Sequence, residues 1–372
     1  MRIIQLAAGG LFALFGLVAL STMLPQSTSA LQSAPNAQEH AQTAAAKPLL
    51  TAPPTVSAPI PLAQTSVPDT TAIETAWRAW VTRHGVDTSA MAIGINGTII
   101  TGAGQGRTSD QAYPVASLSK AVTAMCLNTI LEQSDHSWDT PLSELTPVWN
   151  TLGMAPHAEL AKLPLSALVT HTSGLPKNIG SDGTAGEGRN MYTQANFARA
   201  ALRDPAHLPA SRAHLYSNVN FALLGQIIEG FTGQSYGDYC QAAVMAPADA
   251  RTAQVAGRMW ATAGFGGWSI SAADYARFAM HWYAPARPWM QRPADFAYNP
   301  DSGAGLGVFH RTGKGTHTLN HSGLWRSKTP ARRIGALFVM GTNGSVFVAN
   351  WQGSLPSEAY ADLRKSVTVL LH

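Results

Sequence analysis

Ser117 and Lys120 bound the tetrapeptide Ser117-Leu118-Ser119-Lys120. On a helix that spacing puts both side chains on one face, within reach of each other. A serine hydroxyl is inert at neutral pH until a neighbour takes its proton, and a lysine can take it only where burial or nearby positive charge lowers its pKa. A helix amino terminus at Ser117 favours the negative charge that develops on the serine oxygen. By itself the pattern also describes a capping serine followed by a surface lysine. Its weight comes from two patterns that follow it in order, each occurring once: Tyr216-Ser217-Asn218 and His321-Ser322-Gly323.

Other chemistries lack their residues. The chain has no His-Glu-x-x-His zinc motif and no Walker A loop. Its 25 basic and 21 acidic residues are scattered, giving a net charge of +4 without a basic patch, so no nucleic-acid partner is inferred. Cofactor-free and metal-free acyl transfer remains. Cys126 and Cys240 are far apart and lack metal-site or redox-pair spacing, and two buried thiols are expected in preference to a disulfide.

The chain is 372 residues long, 45% apolar and 12% charged, enough to bury a large core. Arg2 is followed by an apolar run over residues 3–24, with no charge until Glu39. Residues 1–30 therefore read as an export segment. Thr28-Ser29-Ala30 offers a cleavage site, yet the run is also long enough for a retained membrane anchor, and both alternatives stay open. No cysteine near its end could carry a lipid. Residues 31–70, rich in Ala, Gln, Ser and Pro, read as an extended linker, so the folded domain is 71–372 and is expected to lie outside the cytoplasm.

Within that domain, Ile73, Trp77, Trp80 and Val81 have helical spacing over 72–83, and residues 90–101 alternate about the turn Asn96-Gly97. Residues 117–131 contain no Gly or Pro and predict a mostly buried helix opening at Ser117. From about 135 to 250 the patterns are helical, with almost no strand signal. Short apolar runs at 305–310, 318–324, 334–340 and 345–351 predict antiparallel strands, and 357–371 a closing helix. The fold class is α+β: an antiparallel sheet assembled from distant segments and flanked by helices, plus an all-helical subdomain. Among single residues, His171 reads as a structural group fixing a loop, and Asp274 with Arg277 as a surface pair. Trp260, Trp268, Trp282, Trp289, Trp325 and Trp351 read as core and cleft lining.

The ordered set Ser-x-x-Lys, Tyr-x-Asn, His-x-Gly resembles the three-motif signature of serine β-lactamases and penicillin-binding proteins, and its Tyr and His variants resemble the class C β-lactamase-related branch. That branch includes esterases, D-aminopeptidases and DD-carboxypeptidases. The flanking runs Leu168-Val169-Thr170-His171-Thr172-Ser173-Gly174-Leu175-Pro176, 216–229 and 266–278 are similar to the same branch, so the likeness covers 71–372.

The resemblance implies an acyl-enzyme on Ser117, with Lys120 and Tyr216 sharing the proton work and the phenol serving as a base only if cations such as Lys120 depress its pKa. It implies that Asn218 holds a substrate amide or the Lys120 ammonium. Gly323 lets the strand approach the substrate closely, and the amides of Leu324 and Ser117 form an oxyanion hole, with His321 and Ser322 beside it. The implied partner is a small-molecule or peptide acyl substrate. Relatives usually carry Lys at the position of His321, where its charge draws in a carboxylate; a neutral imidazole supplies a donor without that charge, so of the ester, amide and lactam substrates that the resemblance implies, esters and amides are expected ahead of β-lactams. Arg326 and Lys328 are the nearest cations that could replace it. A catalytically silent, tethered ligand- or cell-wall-binding protein is the second reading, and the intact Ser117, Lys120 and Tyr216 speak against it.

Overall fold

Ile73, Trp77, Trp80 and Val81 form the buried stripe of α1 (Thr70–Arg83), which starts where the Asp69 carboxylate accepts from the Ala72 amide at 2.9 Å. The computed structural model describes residues 67–177, 194–203, 213–255, 262–313 and 316–371. The expected export segment, the linker up to residue 66 and Trp260 lie outside them. After α1 the alternating run folds into the hairpin β1 (Ser89–Ile95) and β2 (Thr98–Gln105). Asn96 and Gly97 turn it with φ of 51° and 81°, the left-handed pair a two-residue hairpin needs.

β3 (Tyr113–Pro114) and a 3-10 turn, Ala116–Leu118, lead into α2 (Ser119–Leu131), every residue of which is buried. Between 135 and 250 the described residues form helices and no strand: α3 (Thr146–Leu152), α4 (Ala158–Ala161), α5 (Leu165–Val169), α6 (Gln194–Arg203), α7 (Asn218–Thr232) and α8 (Tyr236–Cys240). The chain then runs through β4 (Gln254–Val255), α9 (Ala263–Gly266), β5 (Trp268–Ile270), α10 (Ala272–Trp282) and α11 (Pro288–Gln291). It returns to the sheet with β6 (Ala304–Gly305), β7 (Val308–Gly313), β8 (Thr316–Trp325), β9 (Ile334–Met340) and β10 (Val346–Gln352), and closes with α12 (Ser357–Leu370).

The main sheet has seven antiparallel strands in the order β2-β1-β10-β9-β8-β7-β6, so the first hairpin joins the last strand. Its central strands are apolar without alternation because both faces are covered. On one face α1 and α12 pack on Met91, Ile93, Leu337, Val339 and Phe347. The helices α2 and α10 belong to the core on the other face, with Ala92, Ala336, Phe338 and Val348. A small sheet, β3-β5-β4, braces the entry to α2. Trp268, Trp282, Trp289 and Trp351 are buried. Among the described residues no helix is long and apolar enough to cross a membrane, and no group of three or more His, Cys, Asp or Glu is placed to hold a metal.

Two expectations are corrected. Cys126 and Cys240 form a disulfide, with Cα atoms 5.5 Å apart, joining α2 to the end of α8 across 114 positions of sequence. The helical hairpin from α7 to α8 returns the second cysteine to α2, a meeting that sequence spacing does not reveal. Asp274 is not a surface group: it is buried, and besides its ion pair with Arg277 its Oδ2 accepts from the Thr252 amide at 2.6 Å, tying α10 to the loop before β4.

Candidate active site

Ser117 sits in the 3-10 turn ahead of α2, one residue after Ala116, whose φ of 47° is costly for a side chain with a Cβ. The neighbours hold this conformation. The Val115 amide donates to the Trp268 carbonyl at 3.0 Å, the Trp268 amide donates to Ser119 Oγ at 3.1 Å, and the Tyr275 hydroxyl donates to the Leu118 carbonyl at 3.1 Å. Val115, Ala116, Leu118, Ser119 and Lys120 are all buried while Ser117 keeps partial exposure. The turn thus presents one hydroxyl to the cleft.

One helical turn on, Lys120 is fully buried, with Nζ 3.2 Å from Ser117 Oγ, 2.8 Å from Asn218 Oδ1 and 3.0 Å from the Phe265 carbonyl oxygen. Burial holds its pKa well below the ordinary lysine value. The rings of Tyr216, Phe221 and Phe265 stand 4.8, 5.7 and 5.6 Å from Nζ, a partial substitute for lost hydration when the amine is charged.

Tyr216 is placed by main-chain bonds to the loop after α5. The Leu215 amide donates to the His171 carbonyl at 2.8 Å, and the Ser217 amide donates to His171 Nδ1 at 3.1 Å. His171 lies against the phenol, ring centroids 4.4 Å apart, and burial followed by the Lys120 charge pushes its pKa well below the usual histidine value. A neutral ring is what accepting at Nδ1 requires, so the geometry gives His171 the loop-fixing place expected of it. The Ser217 hydroxyl then caps α7 by accepting from the Val219 amide at 3.1 Å, which delivers Asn218 to Lys120. The condition for the phenol to serve as a base by itself, a pKa depressed by cations, is not met: burial raises Tyr216 well above its ordinary value, and the hydrogen bond with Ser117 offsets only part of that.

His321 approaches from β8. Its Nε2 is 3.3 Å from the Tyr216 hydroxyl and its Nδ1 is 2.7 Å from the Gly307 carbonyl oxygen. Because a carbonyl only accepts, Nδ1 carries the ring hydrogen and a lone pair faces Tyr216, so His321 enters the site as an acceptor and not as the expected donor. Gly307 has a φ of 78°, and a Cβ there would fall 2.5 Å from the Lys120 carbonyl oxygen, so the turn can lie on α2 only with glycine.

Gly323 has a packing role that sequence spacing does not reveal. A Cβ on it would meet the Val115 carbonyl oxygen at 2.2 Å, so its bareness lets β8 press against the turn that carries Ser117. Gly323→Ala should therefore push strand and turn apart, lowering stability by about 1–3 kcal/mol as an overpacking change does. Acylation should slow with it. A thermal melt beside a burst-rate measurement checks this, and an unchanged melting point with wild-type acylation would refute the contact.

β8 loses its β7 partner after Asn320, so among the described residues no strand pairs with that edge of His321 to Trp325. The pleat turns the side chains of Ser322 and Leu324 away from the face that carries His321, and Leu324 packs toward the α1 and α12 layer, so main-chain groups are what they offer the cleft. Arg326 and Lys328 are exposed, and the charge of Arg326 acts on Tyr360 of α12. Sequence reasoning missed the Phe265 and Gly307 carbonyls, because every residue type carries one.

The amino-acid sequence matches the Beta-lactamase family over residues 72–360. Over 166 residues it is 27% identical to penicillin-binding protein 4 of Amycolatopsis lactamdurans, spanning 42% of this chain and 42% of that protein, less than half the relative's length. Among solved structures the fold is similar to a class C β-lactamase from Rhodobacter sphaeroides, with a TM-score of 0.63 at 15% identity over 82% of this chain and 100% of that one. It is also similar to a D-stereospecific amidohydrolase from Streptomyces sp., with a TM-score of 0.60 at 18% identity over 79% of this chain and 98% of the other. At such identities the likeness is one of fold. The family match alone covers most of the chain and takes in Ser117, Lys120, Tyr216 and His321, and the protein belongs to the Beta-lactamase family.

Proposed function

We propose that the protein is a serine hydrolase that forms an acyl-enzyme on Ser117, with Lys120 taking the serine proton, and that it acts on ester or amide substrates outside the cytoplasm. The observation that carries this reading is the placement of Lys120 Nζ. As a neutral amine it has two hydrogens, and the Asn218 and Phe265 oxygens accept them; its lone pair is left facing the Ser117 hydroxyl at 3.2 Å. When Ser117 Oγ attacks an acyl carbon, its proton passes to that lone pair and the ammonium then protonates the leaving group.

The substrate class rests on what the cleft lacks. A neutral ring stands where a fixed cation would draw in a carboxylate, which favours uncharged acyl groups over β-lactams and peptides with a free carboxylate. The disulfide and the apolar run at residues 3–24 both support an exported protein.

A fluorophosphonate probe should attach to the peptide containing Ser117, as read by mass spectrometry. Turnover should favour a p-nitrophenyl ester over a chromogenic cephalosporin or a D-Ala-D-Ala peptide. A probe adduct mapped to another residue sinks the nucleophile assignment, and faster cephalosporin turnover sinks the substrate class.

A further inference from the structure

The hydrogen bonds behind Ser117 run in one direction. Ser117 lies within hydrogen-bond reach of Tyr216, which accepts its single hydroxyl hydrogen only when that hydrogen is not on Lys120 Nζ; the Tyr216 hydroxyl donates to His321 Nε2 at 3.3 Å, and His321 Nδ1–H donates to the Gly307 carbonyl at 2.7 Å. The last bond fixes the tautomer, as the third member of a catalytic triad does for its histidine. The first two leave a lone pair of the phenol oxygen beside Ser117. Lys120 is enclosed by the Ser117, Asn218 and Phe265 oxygens and shows no surface, while Ser117 and Tyr216 are both half-buried. Once Ser117 Oγ carries an acyl group, the phenol oxygen stays beside it with a free lone pair, on a residue that keeps partial exposure where Lys120 has none.

We propose that His321 is the proton acceptor behind Tyr216 in the hydrolysis of the acyl-enzyme, so that Lys120 serves acylation and the Tyr216–His321 pair serves deacylation. This rests on the serine-hydrolase reading above. The water oxygen bonds to the acyl carbon as its proton moves to Tyr216 Oη, and the phenol's own proton moves to His321 Nε2. When the bond from Ser117 Oγ to that carbon breaks, Tyr216 returns a proton to Ser117 and recovers one from His321. No net proton is gained or lost, and no other reactant is needed.

The groups facing His321 are Tyr216, Lys120 from α2 and His171 from the loop after α5. Burial first, then the Lys120 charge, push the His321 ring down to about 3, so it is neutral at ordinary pH and gives up an acquired proton readily. It is a carrier, not a store.

His321→Gln separates this role from mere positioning, because an amide oxygen can accept the Tyr216 hydrogen bond but cannot keep the proton. In stopped-flow with a p-nitrophenyl ester, the full-length variant should keep its acylation burst within about threefold, while steady-state turnover falls about a hundredfold or more, the scale of a lost general base. Acyl adduct on Ser117 should accumulate in the mass spectrum. Tyr216→Phe should do the same, and the double variant should be no slower than the slower single one. If His321→Gln fails to fold by circular dichroism, Tyr216→Phe carries the test. Equal falls in burst and turnover, or wild-type turnover in the folded variant, overturn the relay. Turnover surviving in Ser117→Ala overturns the hydrolase reading instead, so the two failures are distinguishable.

Discussion

Replacing Ser117 by Ala will abolish both probe labelling and the acylation burst, and replacing Lys120 by Met will cut the burst rate by about a thousandfold or more, within the range that a general base contributes together with nucleophile activation. Methionine nearly matches the lysine stem in volume, so the core around α2 stays filled and the loss falls on proton transfer. The variant leaves the Asn218 and Phe265 oxygens without the Nζ hydrogens they accept, a cost, but it also removes an amine that is fully buried. The melting point should therefore change little while the chemistry collapses. A burst within tenfold of wild type would move the base to another residue.

The pH dependence follows from the same group, with its sign set by the lowered pKa. Attack needs the amine neutral, so acylation should fall as pH drops through the folded-state pKa of Lys120, which lies well below the ordinary 10.5. Lys120→Met should lose that limb. Stability moves in the same direction: between the folded pKa and 10.5 the unfolded chain binds a proton that the buried amine refuses, so stability rises with pH across that window. His321 adds a separate slope below 6.5, where the unfolded ring is protonated and the folded ring is not, so stability falls as pH drops from 6.5 toward about 3.

Much of this arrangement can be read from side-chain pattern. The stripe of α1, the hairpin at Asn96-Gly97, the strands β8 to β10 and the helical region between 135 and 250 follow from apolar spacing and turn residues, because each buries the face its pattern marks. The approach of Ser117 to Lys120 follows from helical geometry, although Ser117 occupies the 3-10 turn and α2 opens at Ser119. What the pattern hides is set by main chain and by distant contacts. The direction of the His321 hydrogen bond depends on the Gly307 carbonyl, the need for Gly323 depends on the Val115 carbonyl, and the high pKa of Tyr216 depends on how deeply its hydroxyl is buried. None of these leaves a mark in residue type at its own position.

The Cys126–Cys240 bond belongs to the hidden group and has the largest expected effect on stability. It closes a loop of 114 positions, and in the chain-entropy account a loop near that size restricts the unfolded state by about 4.7 kcal/mol. For a domain of roughly 300 residues, with unfolding entropy near 2.1 cal/mol/K per residue, that corresponds to a loss of about 7 °C in melting temperature. Cys126→Ala with Cys240→Ala should show at least this drop, since small voids at two fully buried sites add to it. A reductant alone should leave the native protein unchanged, because both sulfurs are shielded from solvent, and should match the double variant only after unfolding and refolding under reducing conditions. Cys126 lies on α2, beyond Lys120, so the bond also ties the catalytic helix to α8. The double variant should thus lose acylation at a lower temperature than its own unfolding if α2 shifts locally, and at the same temperature if the domain melts as one unit. A fall in melting temperature of less than 2 °C would show that the packing of α2 holds the helix without the covalent link.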